Sequence, residues 1–170
     1  MKGQTKIIVF LILFFISIIL FSSANLWGKG ILQQNIDLVK IETTEKFMKD
    51  LDKTILNLVE YEGTRKISYK IDSNIQLLGS NIIEMHFQST INLPQYWINL
   101  TSSDASYIRE KSQGDLFRIQ LVYTPSTEYR VVLFTNGPQL AKPEYILLEK
   151  NETFILGNQA VIKIEITFMK

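Results

Sequence analysis

Residues 7–27, from Ile7 to Trp27, read IIVFLILFFISIILFSSANLW and contain no charged side chain. From Ile7 to Phe21 every residue except Ser17 is apolar. At about 1.5 Å per residue, a helix over the whole stretch covers roughly 30 Å, the thickness of a bilayer's hydrocarbon core. A lone span has no neighbouring strand to take its backbone hydrogen bonds, so inside lipid it must be helical. A core helix of a water-soluble domain normally keeps a polar face over such a length, and this stretch has none. It predicts a transmembrane helix at 7–27 with membrane lipid as its partner.

The flanks give that helix an orientation and an alternative. Residues 1–6, MKGQTK, form a short leader whose Lys2 and Lys6 mark the cytoplasmic side. The rest of the chain is then extracytoplasmic, carried by a single-pass anchor in the cell membrane, with Trp27 at the interface where aromatic side chains concentrate. Ser22-Ser23-Ala24 also has the small residues that a signal peptidase prefers, so cleavage between Ala24 and Asn25 is the alternative. That cut would release a secreted, soluble, β-rich binding domain. Retention of the anchor is favoured, because the apolar run is at the upper limit for a signal peptide.

The chain has 170 residues, of which roughly 140 lie beyond the anchor, enough for one domain to bury its own core. Its 18 basic and 17 acidic residues nearly cancel to a net charge of +1, and no basic stripe points to nucleic acid. There is no cysteine, which excludes thiol catalysis, cysteine-ligated metals and a disulfide-stapled scaffold.

After Gly28-Lys29-Gly30, where two glycines predict a break or kink, 28–62 reads as a linker and an amphipathic helix. Ile36, Val39, Phe47, Met48, Leu51, Ile55, Leu58 and Val59 recur at helical spacing, and Gly63 is the expected stop. From 63 to 170 the period becomes two. Ile67, Tyr69 and Ile71 alternate with polar residues, as do Ile83, Met85, Phe87 and Ile91, then Phe117, Ile119, Leu121 and Tyr123, and finally Ile162 to Phe168. Shorter strands fit 75–78, 129–135, 145–149 and 153–156. Turn residues at 72–74, 79–81, 124–127, 136–138 and 157–159 separate these runs. With few helices between strands, the fold class is α+β: a transmembrane helix, an amphipathic helix and an antiparallel β-sheet or β-sandwich head. The interval 92–115, carrying Trp97, reads as a long irregular loop.

Catalytic and metal chemistry find little support. His86 is the only histidine and falls on the polar face of its strand, with no second ligand at metal-binding spacing. No nucleophile elbow or phosphate loop occurs, and no cofactor is expected. An enzyme would have to assemble its site from unmarked acids. Two sequons, at Asn99 and Asn151, lie in expected loops or turns and are candidate glycosylation sites.

The leader and the order of elements carry a resemblance. Met1-Lys2-Gly3-Gln4 followed by a long apolar helix, an amphipathic continuation and a β domain resembles archaeal type IV pilin-like and pseudopilin-like proteins. The resemblance implies cleavage between Gly3 and Gln4, with the apolar helix kept as membrane anchor and filament core. Other pilin-like subunits would then be partners. The family's glutamate at the fifth mature position corresponds to Ile8 here. The expected role is that of an exported envelope protein with a structural or assembly task.

Overall fold

The apolar and amphipathic stretches form one helix. In the computed structural model, which describes residues 2–91 and 93–170 (2–6 as backbone only), helix α1 runs Lys2–Glu60 over 59 residues. The expected break at Gly28-Lys29-Gly30 does not occur. Each glycine costs about 1 kcal/mol relative to alanine, whereas a break would orphan the carbonyls and amides of a whole turn on either side. No atom lies within 4 Å of where a Cβ would stand at Gly28 or Gly30. The helix stops ahead of Gly63, whose φ of 128° suits a residue without Cβ.

Nine strands follow. They are β1 (Thr64–Ser68), β2 (Asn74–Leu78), β3 (Ile82–Gln88), β4 (Ile98–Ser102), β5 (Ser106–Gln113), β6 (Leu116–Tyr123), β7 (Tyr129–Phe134), β8 (Tyr145–Leu156) and β9 (Gln159–Met169). One sheet has the order β1-β8-β9-β7, the other β2-β3-β6-β5-β4. Every pairing is antiparallel except β7 with β9, which is parallel. β9 lies between β7 and β8, and the chain steps past it between the end of β7 and the start of β8.

Three expectations are corrected. The interval 92–115 is not one irregular loop, because β4 and the whole of β5 lie within it. Asn92 itself lies outside the described residues. The inward positions of β5 are Ser106, Ile108, Glu110 and Ser112, all buried, and its outward ones include Tyr107, Arg109 and Lys111. Three of the four inward residues are polar, so no apolar alternation marks the strand. The runs 145–149 and 153–156 are one strand, β8, with a register shift between Lys150 and Glu152. That bulge adds a residue and breaks the alternation. β1 begins at Thr64, ahead of the expected Ile67–Ile71 run, and ends at Ser68 inside it. Tyr69 lies beyond its end, donating its N–H to Glu144 O at 2.8 Å and burying its ring.

The helix and both sheets share one core. Met48, Leu51, Ile55 and Leu58 of α1 meet Met85, Phe117, Ile119 and Leu121 of the five-stranded sheet and Leu133, Leu148, Ile164 and Ile166 of the other. α1 touches β5 and β6 on one side and β1 and β8 on the other. Each such fully buried side chain contributes about 1.5–3 kcal/mol of transfer free energy. Ile36 and Val39, expected on the packed stripe, are instead 51% and 61% exposed. The core-facing stripe begins at Ile41, one turn further along.

Candidate functional site at the helix–head junction

Asp37 is the first helix residue fastened to the head. Its Oδ2 accepts the Thr90 N–H at 2.5 Å and the Thr90 hydroxyl at 2.7 Å, while Gln33 Nε2 donates to Oδ1 at 2.9 Å. Burial works against its charge, but the two Thr90 donors, the Gln33 amide and nearby Lys40 together hold its pKa below the ordinary 3.8. One turn on, Lys40 reaches Asp72 Oδ2 at 3.4 Å and lies 4.6 Å from the centre of the Phe87 ring. Asp72 also takes Lys142, and these two lysines draw its pKa down. An open cleft of about 380 Å³ beside this clasp is lined by Gln33, Lys40, His86 and Lys142 among others.

Further along the helix the contacts become buried. Asp52 accepts the Tyr123 hydroxyl at 2.9 Å and the Ser106 hydroxyl at 3.1 Å. Burial nonetheless raises the Asp52 pKa, and it raises that of Tyr123 well above the phenol range. Glu110 on β5 faces Glu45 and Lys49 of the helix. Burial, with Glu45 adding to it, pushes the Glu110 pKa up to about 7 against the pull of Lys49. At the far end Lys150 Nζ donates to Val59 O at 3.0 Å, satisfying one of the last helical carbonyls. Two helix acids, Asp37 and Asp52, thus tie helix to head by hydrogen bonds, whereas Glu110 leaves its buried Oε2 without a partner among the described residues.

Before Asp37 the helix is free of the head. Ile7 to Phe21, Leu26, Trp27 and Leu32 are exposed. At 1.5 Å per residue this free portion extends roughly 50 Å. It is long and apolar enough to cross a membrane.

The sequence-predicted sites are scattered. Gly3 and Gln4 lie in helical backbone, and their side chains are outside the described residues, as is Met1. Ala24 and Asn25 lie within α1 and are exposed. Asn99 and Asn151 are exposed but belong to strands β4 and β8 rather than to loops. Asn99 lies on the edge strand of its sheet, and Asn151 in the β8 bulge, where its amide donates to Glu165 at 3.3 Å. His86 is on the outward face of β3, beside Asn74 Nδ2 at 3.3 Å from its Nε2. Among the described residues no three His, Asp or Glu side chains gather as a metal-ligand group.

The residues that fasten the helix, Asp37 and Asp52, carried no sequence signal, because their partners Thr90, Ser106 and Tyr123 are 53, 54 and 71 residues away. Comparisons with protein-family models, with curated proteins and with solved structures find no match to this chain.

Proposed function

We propose that the chain is a single-pass, membrane-anchored envelope protein with a structural or assembly role, similar to a type IV pilin-like or accessory pilin subunit. Residues 7–27 would lie in the membrane, the N-terminus on the cytoplasmic side and the β head outside. The observation that carries this reading is the continuity of α1: one helix is apolar and free of the head in its first half, then clasped by Asp37 and buried along its second. A rigid connection of this kind transmits the position of the anchor to the head. A flexible tether would not. The leader Met1-Lys2-Gly3-Gln4 supports processing by a pilin-type peptidase, which would leave the helix on the mature protein.

The test is the mature N-terminus, read by mass spectrometry on protein purified from its native membrane. A start at Gln4 supports pilin-type processing. A start at Asn25 overturns the reading in favour of a secreted soluble head. An intact Met1 leaves a signal anchor and removes the pilin-like assignment.

A further inference from the structure

The face of the five-stranded sheet turned away from the core carries a second polar system, which meets the cleft at the helix junction only through Asn74 and His86. Strand register lines its side chains up in rows. One row is Gln76, Glu84, Gln120, Arg109 and Asn99; the next is Asn74, His86, Arg118 and Lys111, with Trp97 beyond. The first row is hydrogen-bonded from Gln76 to Arg109. Gln76 and Gln120 amides donate to the two Glu84 oxygens at 3.0 and 2.7 Å, and Arg109 donates twice to Gln120 Oε1 at 3.0 and 2.8 Å. Glu84 is only 3% exposed although it points away from the core.

The second row is not saturated. Arg118 Nε and His86 Nδ1 are buried without a hydrogen-bond partner among the described residues. None of Arg109, Lys111 and Arg118 has a carboxylate within 4.0 Å among those residues. Arg109 and Lys111 rest instead over the Trp97 ring, 4.5 and 4.6 Å from its centre. Three fixed cations thus share a face whose one buried acid, Glu84, is already held by two amides. Among the described residues no carboxylate neutralises the Arg118 guanidinium, so its charge is left for an oxyanion laid on this face.

We propose that the row from His86 through Arg118 and Lys111 is a binding site for an acidic polysaccharide, a carboxylated sugar chain laid across the strands. Neighbouring strands are about 4.8 Å apart, so the row presents positive groups at intervals comparable to one sugar ring. Arginine matches a carboxylate with paired, charge-assisted hydrogen bonds, and Lys111 adds a second charge. The exposed Asn99 amide, opposite Arg109, lies beside the row to meet hydroxyls. Single-stranded nucleic acid fits less well. Its bases need open aromatic faces, whereas the Trp97 ring is engaged by Arg109 and Lys111. The site belongs to the head and does not rest on the anchoring role.

The experiment is calorimetric titration of the full chain in detergent micelles at low salt. The probes are polygalacturonate, neutral dextran and a single-stranded DNA oligonucleotide. Polygalacturonate should bind and dextran should not. Arg118→Gln and Lys111→Gln should each weaken binding about tenfold, as expected for one lost charge-assisted hydrogen bond. Lys163→Gln, on the other sheet, should leave it unchanged. Circular dichroism checks that each variant keeps its sheet, and Lys111→Gln decides the matter if Arg118→Gln does not fold. Failure of polygalacturonate to bind, an equal response to dextran, tighter binding of DNA, or indifference to both variants would overturn the proposal.

Discussion

Asp37 on the helix and Thr90 in the connection after β3 are joined by two hydrogen bonds through one carboxylate oxygen, at 2.5 and 2.7 Å, across 53 residues of sequence. This contact marks where a free helix becomes part of the head. Asp37→Ala would leave the Thr90 N–H and hydroxyl without their acceptor, and the expected loss is about 1–3 kcal/mol. Thermal unfolding measures the loss, and hydrogen exchange at the Thr90 amide shows whether it is local. The Asp37 pKa is depressed in the folded state, so its contribution is present above pH 3.8 and is lost as pH falls through the lower folded value. Unchanged exchange at Thr90 in the variant would mean that the clasp is not what seats the helix.

Glu110 has the opposite sign. Its folded pKa is raised from 4.5 to about 7, so between those values the folded state holds a proton that the unfolded state has released. Its contribution is fully present below pH 4.5 and declines as pH rises towards and past 7. Glu110→Gln should flatten that decline and stabilise the protein at pH 8, where the native side chain is charged, buried and close to Glu45. Chemical denaturation of both proteins at pH 5 and pH 8 tests this. Parallel pH dependences would refute it.

Ile55 is fully buried where the helix meets both sheets. Ile55→Ala removes three carbons from a packed core and should destabilise the head by about 2–5 kcal/mol. A denaturant midpoint lowered at constant slope is the expected result. A loss below 1 kcal/mol would mean that the helix packs loosely on the sheets.

Phe14 is near the middle of the apolar run, exposed on a part of the helix that makes no contact with the head. An arginine there costs about 2.5–3.5 kcal/mol at the centre of a membrane helix. Phe14→Arg should therefore shift protein from the carbonate-resistant membrane fraction to the soluble one while circular dichroism of the head is retained. Ile8→Glu, near the end of the run, should stay membrane-bound. Full membrane retention of Phe14→Arg would exclude this helix as the anchor.

Ile7 to Trp27 and the strands β2, β3, β6 and β9 were legible because each rests on local patterning: an unbroken apolar run, or apolar side chains at every second position. The sheets' inward-facing Ile83, Met85, Ile119, Ile164 and Ile166 follow from that alternation alone. The glycine turns were legible for the same reason. Gly157, with φ 65°, begins the two-residue turn that closes the β8–β9 hairpin, a position that favours a residue lacking Cβ.

The remainder was decided by tertiary structure. β5 escaped detection because its inward positions include Ser106, Glu110 and Ser112, whose burial depends on the helix and on neighbouring strands. Gly28 and Gly30 suggested a break by local propensity, yet the helix continues because its backbone hydrogen bonds outweigh two glycine penalties. The polar rows on the outer sheet face exist only through register, which sets His86 beside Arg118 and Arg118 beside Lys111. The sequence by itself determined the apolar helix and the two-faced strands, since both are written in near-neighbour periodicity. Which charges meet across the folded chain was left to the pairing of strands far apart in sequence, which no local pattern encodes.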